Sequence, residues 1–311
     1  MHTTSRTLYR LILVAFGLAI VAAHAPAQDR NKPAPTHADV PYGPHERNVF
    51  DFWQAESDSP TPVVVYIHGG GFRNGSKLSI QRNMLRDLLD AGISVAAFNY
   101  RFVQQVPLPA AHHDCRRALQ TLRSKADEWN IDRSRIGAYG GSAGAQLCMY
   151  LGFHDDMARP DSDDPVARES TRLSCVGTNG GQTTMNFQWW LEHIPGYDKP
   201  HRDSSEYFGV LEPAEQEKAV AGVSALSLIS ADDPPIYMSY RMPPDEPAPD
   251  GERARSWKVH HVQFGIALKE RMEELGIASY LVFPGAPDTP FRSLADFFIG
   301  NLTGDETAAV P

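Results

Sequence analysis

The sequence has no histidine after His261, only three cysteines, no excess of positive charge and no apolar run long enough to cross a bilayer. Each absence narrows the reading. Cys115, Cys148 and Cys175 have neither metal-site nor disulfide-framework spacing. Each lies in an apolar segment, so all three are expected as buried small hydrophobes, and no metal is expected. A formal net charge of −9 leaves no electrostatic footprint for nucleic acid or for an anionic membrane surface. The longest apolar run, Leu11 to Ala22, falls short of the roughly 20 residues a spanning helix needs. Arg6 and Arg10 precede it and Ala25-Pro26-Ala27 follows it, which is the layout of a secretory signal peptide cleaved after Ala27. Residues 1–27 are therefore expected to direct export to the periplasm or the exterior, with no membrane span left after cleavage. Residues 28–38 are polar and Pro-rich and read as a flexible leader, and residues 39–303 as the globular domain.

Within that domain, short apolar runs alternate with helical periodicities. Strands are expected at Val63–Ile67, Ile93–Phe98, Ile136–Tyr139, Leu173–Gly177, Ile236–Tyr240 and Ser279–Phe283. Helices are expected over 77–91, 109–129, 143–152, 257–275 and 292–302. This alternation predicts an α/β fold with a mostly parallel sheet and helices on both faces. Residues 182–230 interrupt it with Phe187, Trp189, Trp190, Tyr197, Tyr207 and Phe208, and read as a cap-like insert. Those aromatics serve either packing or the lining of a substrate cleft.

Two motifs carry chemistry. His68 to Phe72, HGGGF, directly follows the strand VVVYI. A glycine run there lets backbone N–H groups approach a ligand and face a developing oxyanion. The second motif, Gly140-Gly141-Ser142-Ala143-Gly144, is a G-x-S-x-G between a strand and a helix, the context in which it presents a serine hydroxyl. The Ala143 N–H falls at the helix N-terminus, where an anion is favoured. With VVVYIHGGGF, Phe98-Asn99-Tyr100-Arg101, RIGAYGGSAG and Asp233-Pro234-Pro235, the chain resembles α/β-hydrolases of the HGGG esterase group, which includes carboxylesterase-like and feruloyl-esterase-like proteins. The resemblance covers nearly the whole chain after the leader. It implies the α/β-hydrolase fold, Ser142 as nucleophile, and the N–H groups of Gly70, Gly71 and Ala143 as oxyanion hole.

The resemblance also places an acid after the DPP strand and a histidine after the last strand. Here the acid's column holds Pro243, with Asp245 two residues on, and the histidine's column holds Asp288 in LVFPGAPDTPF. The histidines after Ser142 are His154, His193, His201, His260 and His261. His154 ends the nucleophile helix, while His193 and His201 fall in the insert. His260 and His261 fall in the helix expected over 257–275. His261 shares a stripe there with Trp257, Phe264, Leu268, Met272 and Leu275, so it reads either as a core histidine or as the base. In the second case acid and base have exchanged loops, giving Ser142–His261–Asp288, with Asp245 as the alternative acid. In the first case the triad is broken.

These readings lead to two functions. One is an exported serine carboxylic-ester hydrolase that acts through an acyl-enzyme on a small-molecule or polysaccharide-linked ester, with no metal or organic cofactor. The other is a non-catalytic hydrolase-like binding protein that has lost its catalytic histidine. A peptidase of the same fold has no specific mark.

Overall fold

VVVYI forms the last five residues of β3 (Thr61–Ile67), and its residues alternate between two cores. Val63, Val65 and Ile67 join Cys115, Leu119 and Leu122 on one side of the sheet; Val64 joins Leu85, Leu88, Phe297 and Phe298 on the other. A strand buried on both faces is apolar throughout rather than alternating, because each face needs its own core.

The protein is described here by a computed structural model covering residues 32–304. The signal-peptide expectation for residues 1–27 lies outside these residues. Residues 33–304 form one compact unit around an eight-stranded sheet. Its strands are β1 (His37–Pro41), β2 (Val49–Trp53), β3, β4 (Ser94–Phe98), β5 (Ile131–Gly141), β6 (Cys175–Asn179), β7 (Ile236–Ser239) and β8 (Ser279–Val282). The spatial order is β1-β2-β4-β3-β5-β6-β7-β8; the β1–β2 and β2–β4 pairs are antiparallel and all the others parallel. The fold is that of an α/β hydrolase.

Helices α1 (Arg82–Asp90) and α10 (Leu294–Thr303) cover one face. The other carries α2 (Ala110–Ser124), α3 (Ala143–Phe153) and, after the insert, α8 (Glu252–Val259) and α9 (Gln263–Glu274). Every residue of α3 is buried, as required of a helix enclosed between sheet and neighbouring helices. The insert between β6 and β7 contains α4 (Phe187–His193), α5 (Ser205–Phe208), α6 (Pro213–Ala221) and α7 (Ala225–Leu228). The three cysteines are free and buried.

Two differences from the sequence reading matter. β1 begins inside the stretch read as leader: His37 stacks on Trp129 at 4.4 Å, and Trp53 Nε1 donates to Pro33 O at 2.9 Å. The helix expected over 257–275 is two helices, broken at 260–262. Side chains of the β6–α4 loop hold the break. Gln182 Nε2 donates to Val259 O and Thr183 Oγ1 to Phe264 O, while His261 Nδ1 accepts the Gln263 N–H at 3.1 Å. Such side-chain bonds compete with the helical ladder and supply alternative partners at the break.

Candidate active site

β5 ends in Gly140-Gly141 and α3 begins at Ala143, leaving Ser142 alone on the turn with φ 54° and ψ −122°. Positive φ on a serine costs on the order of 1–3 kcal/mol and persists only where the surroundings over-determine it. They do so here. The Ser142 N–H donates to Asn179 O at 3.0 Å, and its carbonyl accepts from Gln146 N at 3.1 Å. A Cβ on Gly144 would lie 2.0 Å from Ile67 O, and one on Gly140 2.5 Å from the same oxygen. The glycines of the motif therefore let the turn pack directly on the end of β3.

The glycine run after β3 folds back beside this turn. Gly70 and Gly71 have φ values of 108° and 60°. Neither N–H donates to any described residue. The Ala143 N–H, in the first turn of α3, has no intrahelical acceptor. Backbone donors without internal partners beside a hydroxyl are equipped to hold an anion. His68 holds the run in place. Its Nδ1 lies 2.7 Å from Gly69 O and its Nε2 3.2 Å from an Arg47 amino group, and its ring stacks on Tyr100 at 4.3 Å. Tyr100 in turn donates its hydroxyl to His68 O at 2.9 Å. Burial lowers the His68 pKa to about 4, so this imidazole is a neutral strut.

The structure places a different histidine against the serine from the one expected. His260, not His261, meets the serine: its Nε2 lies 2.9 Å from Ser142 Oγ. His260 is the residue on which α8 ends, with φ −121° and ψ 24°, and the loss of helical geometry turns its ring toward the elbow. Its Nδ1 lies 2.8 Å from Ser256 O. A carbonyl only accepts, so Nδ1 carries the proton and Nε2 presents its lone pair to the serine hydroxyl. Burial lowers the His260 pKa; the Ser256 carbonyl opposes that shift and Arg241 adds to it. Gly180, at φ 57°, makes room for the ring, since a Cβ there would lie 3.3 Å from His260 Cδ2.

His261 makes no hydrogen bond to the serine. It is fully buried, its ring edge-on to Trp257 at 4.5 Å, and burial lowers its pKa to about 4. It caps the start of α9 and plays the core role. Asp288, expected as the acid, is exposed in the loop after β8 and has no hydrogen bond or ion pair with any described residue. It does not reach a site where His260 Nδ1 is already engaged by Ser256. Asp245 is likewise exposed and unpaired among the described residues. Among the described residues no carboxylate bonds to His260, and a backbone carbonyl takes that place. Sequence reasoning named His260 without assigning it a role and missed Ser256, Gln182 and Gly180. The only signal was the tandem His260-His261, whose assignment depends on where the helix breaks.

Ser142 and His260 lie where two clefts meet. One, about 410 Å³, takes in Gly70, Gly71 and Ala143, with Trp190, His201 and Tyr207 contributed by the insert. The other, about 750 Å³, runs along Tyr66, Tyr139, Arg241 and Trp257. A larger cleft of about 1020 Å³ lies within the insert and contains neither reactive residue.

Comparison with known proteins agrees with this geometry. The BD-FAE family model matches residues 51–241, more than half of the chain, including both glycine motifs. Probable carboxylesterase 3 of Arabidopsis thaliana is 31% identical over 97 residues, covering 30% of this chain and 31% of that protein. The chain thus spans about a third of the curated relatives it matches. Among solved structures, a truncated carbohydrate esterase from gut microbiota superposes with a TM-score of 0.68 at 22% identity, over 89% of this chain and 99% of the other. An acetyl ester-xyloside bifunctional hydrolase from Caldicellulosiruptor lactoaceticus gives 0.58 at 23%, over 76% of each chain. At these identities the two structures establish the fold alone. The family match spans the serine turn and the glycine run that faces it, and by it the chain belongs to the BD-FAE family of α/β-hydrolase-type esterases.

Proposed function

We propose that this protein is an exported serine carboxylic-ester hydrolase that works through an acyl-enzyme on Ser142. The observation that carries the reading is the 2.9 Å contact between Ser142 Oγ and a His260 Nε2 whose tautomer is set by Ser256. A hydroxyl near neutral pH is a poor nucleophile until a neighbouring base takes its proton. In the proposed reaction Ser142 Oγ attacks the ester carbonyl while its proton passes to His260 Nε2. The N–H groups of Gly70, Gly71 and Ala143 receive the oxyanion. Collapse of the tetrahedral intermediate breaks the bond to the alcohol oxygen, which takes the proton from His260. Water, deprotonated by His260, then releases the acid by the same route.

A short ester, free or polysaccharide-linked, fits a cleft with an aromatic wall, and the carbohydrate-esterase description of a structural neighbour supports including the polymer. Export rests on the layout of residues 1–27. The test is hydrolysis of p-nitrophenyl acetate and acetylated xylan by wild type and Ser142→Ala. Release from either ester is expected only with the serine present. A wild type no faster than the alanine variant on both would leave the second reading, a hydrolase-shaped binding protein.

A further inference from the structure

The cleft that holds the free N–H groups has an unusual charge balance. Arg73, Arg202 and Arg255 line it, and no aspartate or glutamate does. Glu206, just outside the lining, pairs with both Arg73 at 3.3 Å and Arg202 at 3.1 Å. Arg255, on α8 five residues before His260, has no hydrogen bond or ion pair with any described residue. The chain as a whole carries a formal charge of −9, so this local excess runs against the overall charge. His201, between the Tyr197 and Tyr207 hydroxyls at 2.8 and 3.2 Å, has its pKa lowered to about 4, chiefly by burial, and adds no charge at neutral pH. In the neighbouring cleft, by contrast, Arg241 and Arg253 lie with Glu246 among the lining residues.

From this we infer that the ester bound beside Ser142 carries an anionic group, a carboxylate or its equivalent, seated among Arg73, Arg202 and Arg255. The inference rests on the esterase reading and specifies its substrate class. A guanidinium offers paired donors that match a carboxylate. In a partly enclosed cleft the attraction is less screened than on open surface. Arg255 has no donor engaged by a described residue, and the two guanidiniums sharing one glutamate keep donors in excess. Trp190 and Tyr207 form an apolar wall for the uncharged part of the substrate. The anion belongs to either half of the ester, acid or alcohol; both present the same chemistry to the arginines.

Equilibrium binding to Ser142→Ala tests this without turnover. Calorimetry would compare three amide mimics: N-phenylsuccinamic acid, with the anion on the acyl side; 4-acetamidobenzoate, with the anion on the leaving side; and neutral acetanilide. At least one anion is expected to bind about tenfold or more tighter than acetanilide. That margin should shrink as NaCl rises from about 20 mM to about 500 mM. It should collapse in Arg255→Gln and persist in Arg271→Gln, a surface change on α9. The acyl-side and leaving-side mimics show which half carries the charge. Anions that bind no tighter than acetanilide, or a margin that survives Arg255→Gln, would overturn the inference. Loss of Ser142-dependent turnover in the separate esterase assay would instead remove only the catalytic reading.

Discussion

Ser142 Oγ and His260 Nε2 stand 2.9 Å apart, although 118 residues separate them and the serine sits on a strained turn while the histidine ends a helix. Two independent backbone devices converge on this contact. One is the β5–α3 turn held by glycines; the other is the break between α8 and α9. If His260 is the base, His260→Ala should lower kcat by about 10²–10⁴-fold on p-nitrophenyl acetate. His261→Asn should lose stability through the α9 cap and the Trp257 contact while retaining most of kcat. Asp288→Asn and Asp245→Asn should leave kcat/KM within about twofold, as befits exposed groups without partners among the described residues. Steady-state kinetics on the four variants checks the assignment, and activity that survived His260→Ala would overturn it.

The acid limb of the pH–rate profile should lie below the ordinary histidine range. A base acts only when neutral, and burial together with Arg241 lowers the His260 pKa. A lowered pKa keeps the ring neutral to more acidic pH, so activity should persist on the acid side of about 6.5. Removing the positive charge in Arg241→Gln should raise the pKa and move the limb toward neutral pH. Profiles of kcat/KM from about pH 4 to 8 for the two proteins give the answer. A shift in the opposite direction would remove Arg241 from the account.

How much of this was legible in the sequence depended on whether the information was local. HGGGF and GGSAG declared the elbow and the glycine run because glycine spacing and flanking strands are local signals, and the φ values at Gly70, Gly71 and Ser142 fit those motifs. The period-2 alternation that would have revealed β2 was hidden, because Phe50 to Trp53 are all buried. The histidine that meets Ser142 was not picked out, for a different reason. Trp257, His261, Phe264, Leu268 and Met272 do face the core, so the stripe was real, but it runs through two helices rather than one. The break is enforced by Gln182 and Thr183, some eighty residues earlier, and no local pattern contains them.

Gln182 should therefore act as a positioning residue. Its amide ties Val259 O to Gly180 O, at the end of the helix that delivers His260. Gln182→Ala would release that end. The expected result is a fall in kcat of about tenfold or more with a smaller change in KM, since misplacement of a base costs mainly transition-state stabilisation. Stability should drop by only about 1–3 kcal/mol. Gln182→Glu, which keeps the shape but removes the donor, should not restore kcat. A variant whose KM rose with kcat unchanged would assign Gln182 to substrate binding instead.

Gly70 and Gly71 should differ sharply in tolerance. A Cβ on Gly70 would lie 2.1 Å from Asn74 O at φ 108°, so Gly70→Ala must rebuild the loop. At Gly71 nothing lies within 4 Å of the added carbon, and only the φ of 60° is unfavourable. Left-handed geometry on alanine costs on the order of 1 kcal/mol. Gly71→Ala should therefore fold with a modest loss of melting temperature, whereas Gly70→Ala should lose both activity and several degrees more. Thermal melting of the two variants side by side checks this, and equal losses would contradict the steric account.

Acid should destabilise the fold before carboxylates begin to titrate. Burial holds His68 and His261 near pKa 4 and His112 near 3, against about 6.5 in an unfolded chain. Between those values the unfolded state binds more protons than the folded one, so stability rises with pH and is lost on acidification from about 6.5 toward 4. Each such histidine contributes a slope of up to about 1.4 kcal/mol per pH unit across that window. Urea unfolding at intervals between pH 7 and 4.5 should show the decline. In His261→Gln, where an amide oxygen can still accept the Gln263 N–H, the slope should be shallower by about one histidine's share. A stability that stayed flat down to pH 4.5 would mean that these rings are solvated or paired more fully than their burial indicates.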